Sequence, residues 1–153
     1  MKVLLSIAML CAANLAMALS TTDIDAMLQK ETLTVEEGVW SVLAIKEPGI
    51  EIGAVFNNPK TAQFKNAAKE ELSYGKLSKI IIEVFDMPSA FLYKLTGWDR
   101  YAFLSLVDVK LLSDKVSESK GMSGEELFSV IHRIKSKLYP EADDEEVKEG
   151  GGK

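Results

Sequence analysis

The sequence predicts an all-α fold, a compact bundle of five or six helices, and three observations carry that reading. The first is the stretch from Leu77 to Leu112, more apolar over its length than anything else in the chain. Read as helices, Leu77–Asp86 and Asp99–Leu112 place apolar residues on nearly every side, which suits helices surrounded by other helices. The second is a pair of capping boxes, Thr34-Val35-Glu36-Glu37 and Ser123-Gly124-Glu125-Glu126. The third is the stripe Leu127, Val130, Ile131, Ile134 and Leu138, apolar at the spacing of one helix face. Glu83, Asp86, Lys94, Asp99, Arg100 and Asp108 interrupt the central stretch, so it does not read as a membrane span, which needs ~20 nearly uncharged residues.

Taken in order, residues 1–18 read as a signal peptide. Lys2 supplies the charge, Val3 to Ala13 the apolar core, and Ala16-Met17-Ala18 the small-residue cleavage pattern. Cys11 is the chain's one cysteine and would leave with this segment. A mature chain cut after Ala18 has no disulfide, no thiolate nucleophile and no cysteine metal ligand. The domain then spans 19–140. Thr21-Thr22-Asp23 can cap a first helix with Ile24, Met27 and Leu28 on one side. The helix opened at Thr34 would bury Val35, Val39, Val42 and Leu43, and Pro48-Gly49 would end it. The alternative is α+β: Val39–Ile45 and Ile50–Phe56 are rich in β-branched residues and could pair as a hairpin across Glu47-Pro48-Gly49-Ile50, within 39–56.

Asn58-Pro59 reads as the start of a helix running to Tyr74 and stopped by Gly75. It would set Phe64, Ala67, Ala68 and Glu71 on one side. Pro88 and Gly97 divide the central stretch, and Asp99 is expected to begin the longest helix. Ser119 to Met122 reads as a loop, and Pro140 ends the last helix. Residues 141–153 hold six acids and two lysines, and read as an acidic disordered tail.

The whole chain carries a net charge of −5. Most of the excess falls in the tail, so the domain lacks the basic face that nucleic-acid binding needs. Its charge does not point to an anionic membrane either. No cofactor or metal signature occurs: there is no G-x-S-x-G, H-E-x-x-H, P-loop, dinucleotide fingerprint or EF-hand loop. His132 is the one histidine and falls at the border of the last helix's apolar stripe. Ser73…Lys76 and Ser117…Lys120 match S-x-x-K, but the companion motifs of penicillin-recognising enzymes are absent. Nothing here points to an enzyme.

Trp98 stands out. It follows a glycine break, with Tyr93 before it and Tyr101 one turn on. Aromatics at this spacing are expected to be buried, as core or as elbow packing. The sharper reading makes Tyr93, Trp98, Arg100 and Tyr101 a partner-binding surface. The pattern Y-x-x-T-x-W-x-x-Y, formed by Tyr93, Thr96, Trp98 and Tyr101, resembles the gastropod sperm acrosomal proteins, the egg-lysin family. The Leu15-Ala16-Met17-Ala18 ending of the signal segment, the mature length, the lack of disulfides and the Gly-Lys ending are similar too. The resemblance implies a helical bundle held in the acrosomal vesicle. Such a protein opens the egg envelope by binding, without catalysis, or acts on membranes at fusion. The chain departs from that family in charge, being acidic where those proteins are strongly basic.

The sequence therefore leads to a secreted, non-enzymatic helical protein that binds an extracellular protein or glycoprotein. A small-ligand or lipid carrier, with a cavity among Ile81, Phe85, Phe103 and Val107, is one alternative. A small secreted hydrolase with polar groups gathered around His132 is the other.

Overall fold

A computed structural model describes residues 23–140; the segment read as a signal peptide, with Cys11, and the acidic tail lie outside the described residues. Six α-helices appear among the described residues. They are α1 (23–28), α2 (Val35–Lys46), α3 (Tyr74–Phe85), α4 (Phe91–Thr96), α5 (Asp99–Asp108) and α6 (Gly124–Leu138). Two 3-10 helices, Ile52–Asn57 and Ala62–Ala67, lie between α2 and α3. The fold is all-α, and no sheet forms among the described residues. The segment 39–56 is no hairpin. Its first half lies in α2 and most of its second half in a 3-10 helix, joined by a turn in which Gly49 takes φ 90°.

Helix α3 is the centre. Leu77, Ile80, Ile81 and Val84 are fully enclosed between α2 on one side and α5 on the other. Val35, Val39, Val42 and Leu43 meet them from α2, and Ala102, Phe103 and Leu106 from α5. Helix α6 brings Leu127, Val130 and Ile134 against α2, along the stripe the sequence marks. Both capping boxes form. The Thr34 hydroxyl oxygen accepts from the Glu37 N–H at 3.3 Å, and the Thr34 N–H donates to the Glu37 carboxylate at 2.8 Å. At α6 the reciprocal bonds between Ser123 and Glu126 are 3.3 and 3.1 Å.

The expected helix from Asn58 to Tyr74 does not form. The Asn58 side chain accepts from the Lys60 N–H at 3.0 Å and opens a turn, followed only by the 3-10 helix. Beyond Ala67 the chain serves other elements. The first N–H groups of α2 have no partner within their own helix. The Val35 N–H donates to the Glu70 carbonyl at 2.9 Å, and the Glu36 N–H to the Ala68 carbonyl at 3.0 Å. Carbonyls turned toward α2 in this way are lost to a continuing helix. Leu72 then enters the core between the bridge residues Glu71 and Ser73, and Ser73 caps α3. Gly75 thus sits inside the first turn of α3 rather than ending a helix. A Cβ there would fall 2.8 Å from the Asp99 Cβ, so the residue allows α5 to approach α3 closely.

Leu33, Leu72 and Met122 close a ring of three backbone hydrogen bonds. The Leu33 N–H donates to Met122 (3.1 Å), Met122 to Leu72 (2.9 Å) and Leu72 to Leu33 (2.8 Å). All three side chains are buried. Nor is α5 the longest helix. It stops at Asp108, Lys110 takes a left-handed φ of 59°, and Leu111 and Leu112 fold back to donate to the Leu106 carbonyl. The 15 residues of α6 exceed its ten.

Candidate partner-binding surface

The sequence from Pro88 to Tyr101 builds an elbow. The Ala90 N–H donates to the Ser105 hydroxyl at 2.8 Å, and that hydroxyl donates to the Tyr101 carbonyl at 2.8 Å, pinning the start of α4 to α5. Gly97, at φ 66°, ends α4 in the left-handed conformation that a side chain rarely adopts. Its N–H donates to the Tyr93 carbonyl at 2.8 Å. The Thr96 hydroxyl donates to the Leu92 carbonyl at 2.7 Å and accepts from the Trp98 N–H at 3.3 Å. Trp98, in extended backbone, is the N-cap residue of α5.

Of the six residues of α4, Tyr93 alone is buried. Its hydroxyl donates to the Glu83 carboxylate at 3.0 Å. Burial, followed by that carboxylate, pushes its ionisation far above the ordinary phenol range. Phe91 (75% exposed), Leu95 (69%) and Leu92 (45%) stay outside. Trp98 is 62% exposed, which corrects the expectation that it is core. Its indole stacks on Tyr101, and Arg100 beside it is exposed. Three of the four residues singled out from sequence, Trp98, Arg100 and Tyr101, therefore gather at the start of α5. Tyr93 is a core residue under them.

Sequence reasoning missed Phe91, Leu92 and Leu95. Their signal was present: they fall between two breakers, Pro88 and Gly97, in a run too short to bury more than one of its large side chains. Large apolar residues exposed together are uncommon outside interaction sites.

Arg100 also lines a cleft of about 390 Å³ with Glu71, Ser73, Lys76 and Glu118. This brings the first S-x-x-K match into a depression, but the serine acts as a helix cap. The Ser73 hydroxyl oxygen accepts from the Lys76 N–H at 3.3 Å, while the Lys76 ammonium is 2.8 Å from the Glu70 carboxylate. At the second match, Lys120 pairs with Glu126. His132 is exposed on α6, with no polar partner among the described residues. Ile81 and Phe103 are buried in the core, with Phe85 and Val107 packed against it. Among the described residues, no group of three or more His, Cys, Asp or Glu is placed to hold a metal, and no helix is long and apolar enough to cross a membrane.

No family model matches the chain, and no curated protein or solved structure resembles it closely enough to count as a match.

Proposed function

We propose that this is a secreted, non-enzymatic protein that binds a macromolecular partner outside the cell through the ridge formed by α4 and the start of α5. The observation that carries the reading is the exposure of Phe91, Leu95 and Trp98 on one short elbow. Large aromatic and aliphatic anchors of this kind supply most of the affinity of a protein interface, once their partner removes them from water. Arg100 and Lys94 flank them as exposed cations. The Tyr93–Tyr101 resemblance supports a place of action at the egg envelope or egg membrane, with storage in the acrosomal vesicle and export through the signal segment ending at Ala18.

The test is saturable binding of the labelled, secreted chain to isolated gastropod egg envelopes and, separately, to egg-membrane vesicles. The double variants Phe91→Ser/Leu95→Ser and Arg100→Ala/Tyr101→Ala should lose it while circular dichroism stays that of the wild type. Absence of saturable binding to either preparation ends the egg-surface reading. Binding unchanged in both double variants moves the surface elsewhere on the molecule.

A further inference from the structure

The outward strip of α5 has a symmetry that the partner reading does not use. Ala102, Phe103, Ser105 and Leu106 face the core, which leaves Arg100, Leu104 and Asp108 along the other side, with Tyr101 and Val107, both packed partly against the core, at its borders. Leu104 is 41% exposed and stands at the middle. Arg100 comes four residues before it and Asp108 four residues after it. Both are exposed, and neither has an ion-pair partner among the described residues. Tyr101 and Val107, both half-buried, lie three residues to either side.

The geometry points to a second copy of this chain as the occupant of the strip, with the two α5 helices antiparallel about a twofold axis at Leu104. In a twofold interface, residue i meets residue j and j meets i. Antiparallel helices centred on Leu104 bring together residues equally far before and after it. Arg100 then faces Asp108 of the second copy, and Asp108 faces its Arg100. Leu104 packs on Leu104, and the exposed edges of Tyr101 and Val107 meet across the axis. Every contact made by this register is chemically complementary. A parallel pairing would set Arg100 against Arg100 and Asp108 against Asp108. Opposite charges at equal distances from an apolar centre favour a second copy along this strip, while Phe91, Leu92 and Leu95 on α4 stay open to the extracellular partner. Exposed charge pairs contribute little affinity, so here they fix the register, and the association is carried by Leu104 with the exposed edges of Tyr101 and Val107. One helix strip covers less than the ~800 Å² per partner of a standard stable interface, so the dimer is a weak and reversible one.

The inference stands independently of the egg-surface reading, since it is measured on the protein alone. Sedimentation of the secreted chain from micromolar to millimolar concentration should show a reversible shift from monomer to dimer. Arg100→Asp and Asp108→Arg, each alone, turn two attractive pairs into two repulsive ones and should weaken the dimer roughly tenfold. The exchange Arg100→Asp/Asp108→Arg should restore it. Leu104→Glu should abolish it, yet keep egg-surface binding through Phe91 and Leu95. All these positions are exposed, and circular dichroism checks that the fold is kept. In the secreted chain, cut after Ala18 and so without Cys11, Leu104→Cys places two thiols at the axis and should be joined into a covalent dimer by oxidised glutathione, whereas Ser129→Cys on α6 should not. A chain that stays monomeric at millimolar concentration overturns the proposal. So does a dimer indifferent to Leu104→Glu, or a charge exchange that fails to rescue.

Discussion

The indole of Trp98 lies over the ring of Tyr101, with centroids 5.9 Å apart and planes within 9° of parallel. The pair is exposed to water on its outer side, so Trp98→Ala should cost under ~1.5 kcal/mol, the order of one aromatic pairing. A buried tryptophan would cost ~3–5 kcal/mol. Trp40 is half-buried, and its indole N–H donates to the Ile50 carbonyl at 2.7 Å. In a Trp40→Phe background, the remaining emission should be red and readily quenched by acrylamide. Blue, protected emission would place Trp98 inside.

Tyr93 should behave in the opposite way. Tyr93→Phe removes a hydrogen bond to a carboxylate and should cost ~1.5–3 kcal/mol in urea unfolding. A cost near zero would mean that the hydroxyl is already satisfied by water.

Tyr74 gives an alkaline limit. Burial first, then the nearby Glu126 carboxylate, pushes its phenol up to about 12 from an ordinary 10.0. The folded value lies above the unfolded one, so this contribution is fully present below pH 10 and is lost as pH rises toward 12. Tyr74→Phe should flatten the stability profile in that window alone. An equal slope in the variant would show that other groups cause it.

The capping-box glutamates give an acid limit. Burial raises the Glu37 ionisation, but the Lys30 ammonium and the Thr34 donors outweigh it and hold the carboxyl below its ordinary value. At Glu126 the Lys120 hydrogen bond dominates, in the same direction. Both folded values lie below the unfolded 4.5. Their stabilisation is therefore present above that pH and is lost as pH falls through the lowered values. Glu37→Gln should cost about 1 kcal/mol at neutral pH and make unfolding less steep in acid. An unchanged acid slope would remove Glu37 from the account.

Gly124 tests the packing of α6 against α1. A Cβ there would fall 1.9 Å from the Met27 carbonyl oxygen. Gly124→Ala should therefore cost about 2 kcal/mol or more, as overpacking does. Gly53, with nothing within 4 Å of its position, is the control, and Gly53→Ala should shift stability by no more than ~0.5 kcal/mol. Equal effects at the two sites would contradict this packing.

The parts of the fold legible in the sequence are those decided within one turn of chain. Thr34 with Glu37, Ser123 with Glu126, and the stripe from Leu127 to Ile134 are local, and each appears where it reads; Leu138, the last member of that stripe, is exposed at the end of α6. The segment after Asn58 misleads because its fate is set from outside. Asn-Pro opens a turn as readily as a helix, and the donors of α2 then take the carbonyls of Ala68 and Glu70. The surface misleads for another reason. Phe91, Leu95 and Trp98 are as apolar as Ile80 and Ile81, and composition alone does not tell a covered face from an open one. Only the single inward side chain of α4, Tyr93, decides which way the others point. Arg100, Trp98 and Tyr101 were visible as a cluster because aromatic and cationic residues fall close together after a glycine break.

The ring formed by Leu33, Leu72 and Met122 bears on how the chain reaches this state. Its members lie 39 and 50 residues apart, so no one of its bonds forms before a long loop has closed. Closing such loops costs entropy before any contact returns it, and proteins rich in distant contacts fold more slowly. The helices of this protein are local, but their closure is not. The Leu33, Leu72 and Met122 amides should then be among the last to exchange with solvent deuterium, opening only when the whole molecule does. Their exchange rates would read out global unfolding at single residues, while the amides of α4, at the edge, exchange through local opening.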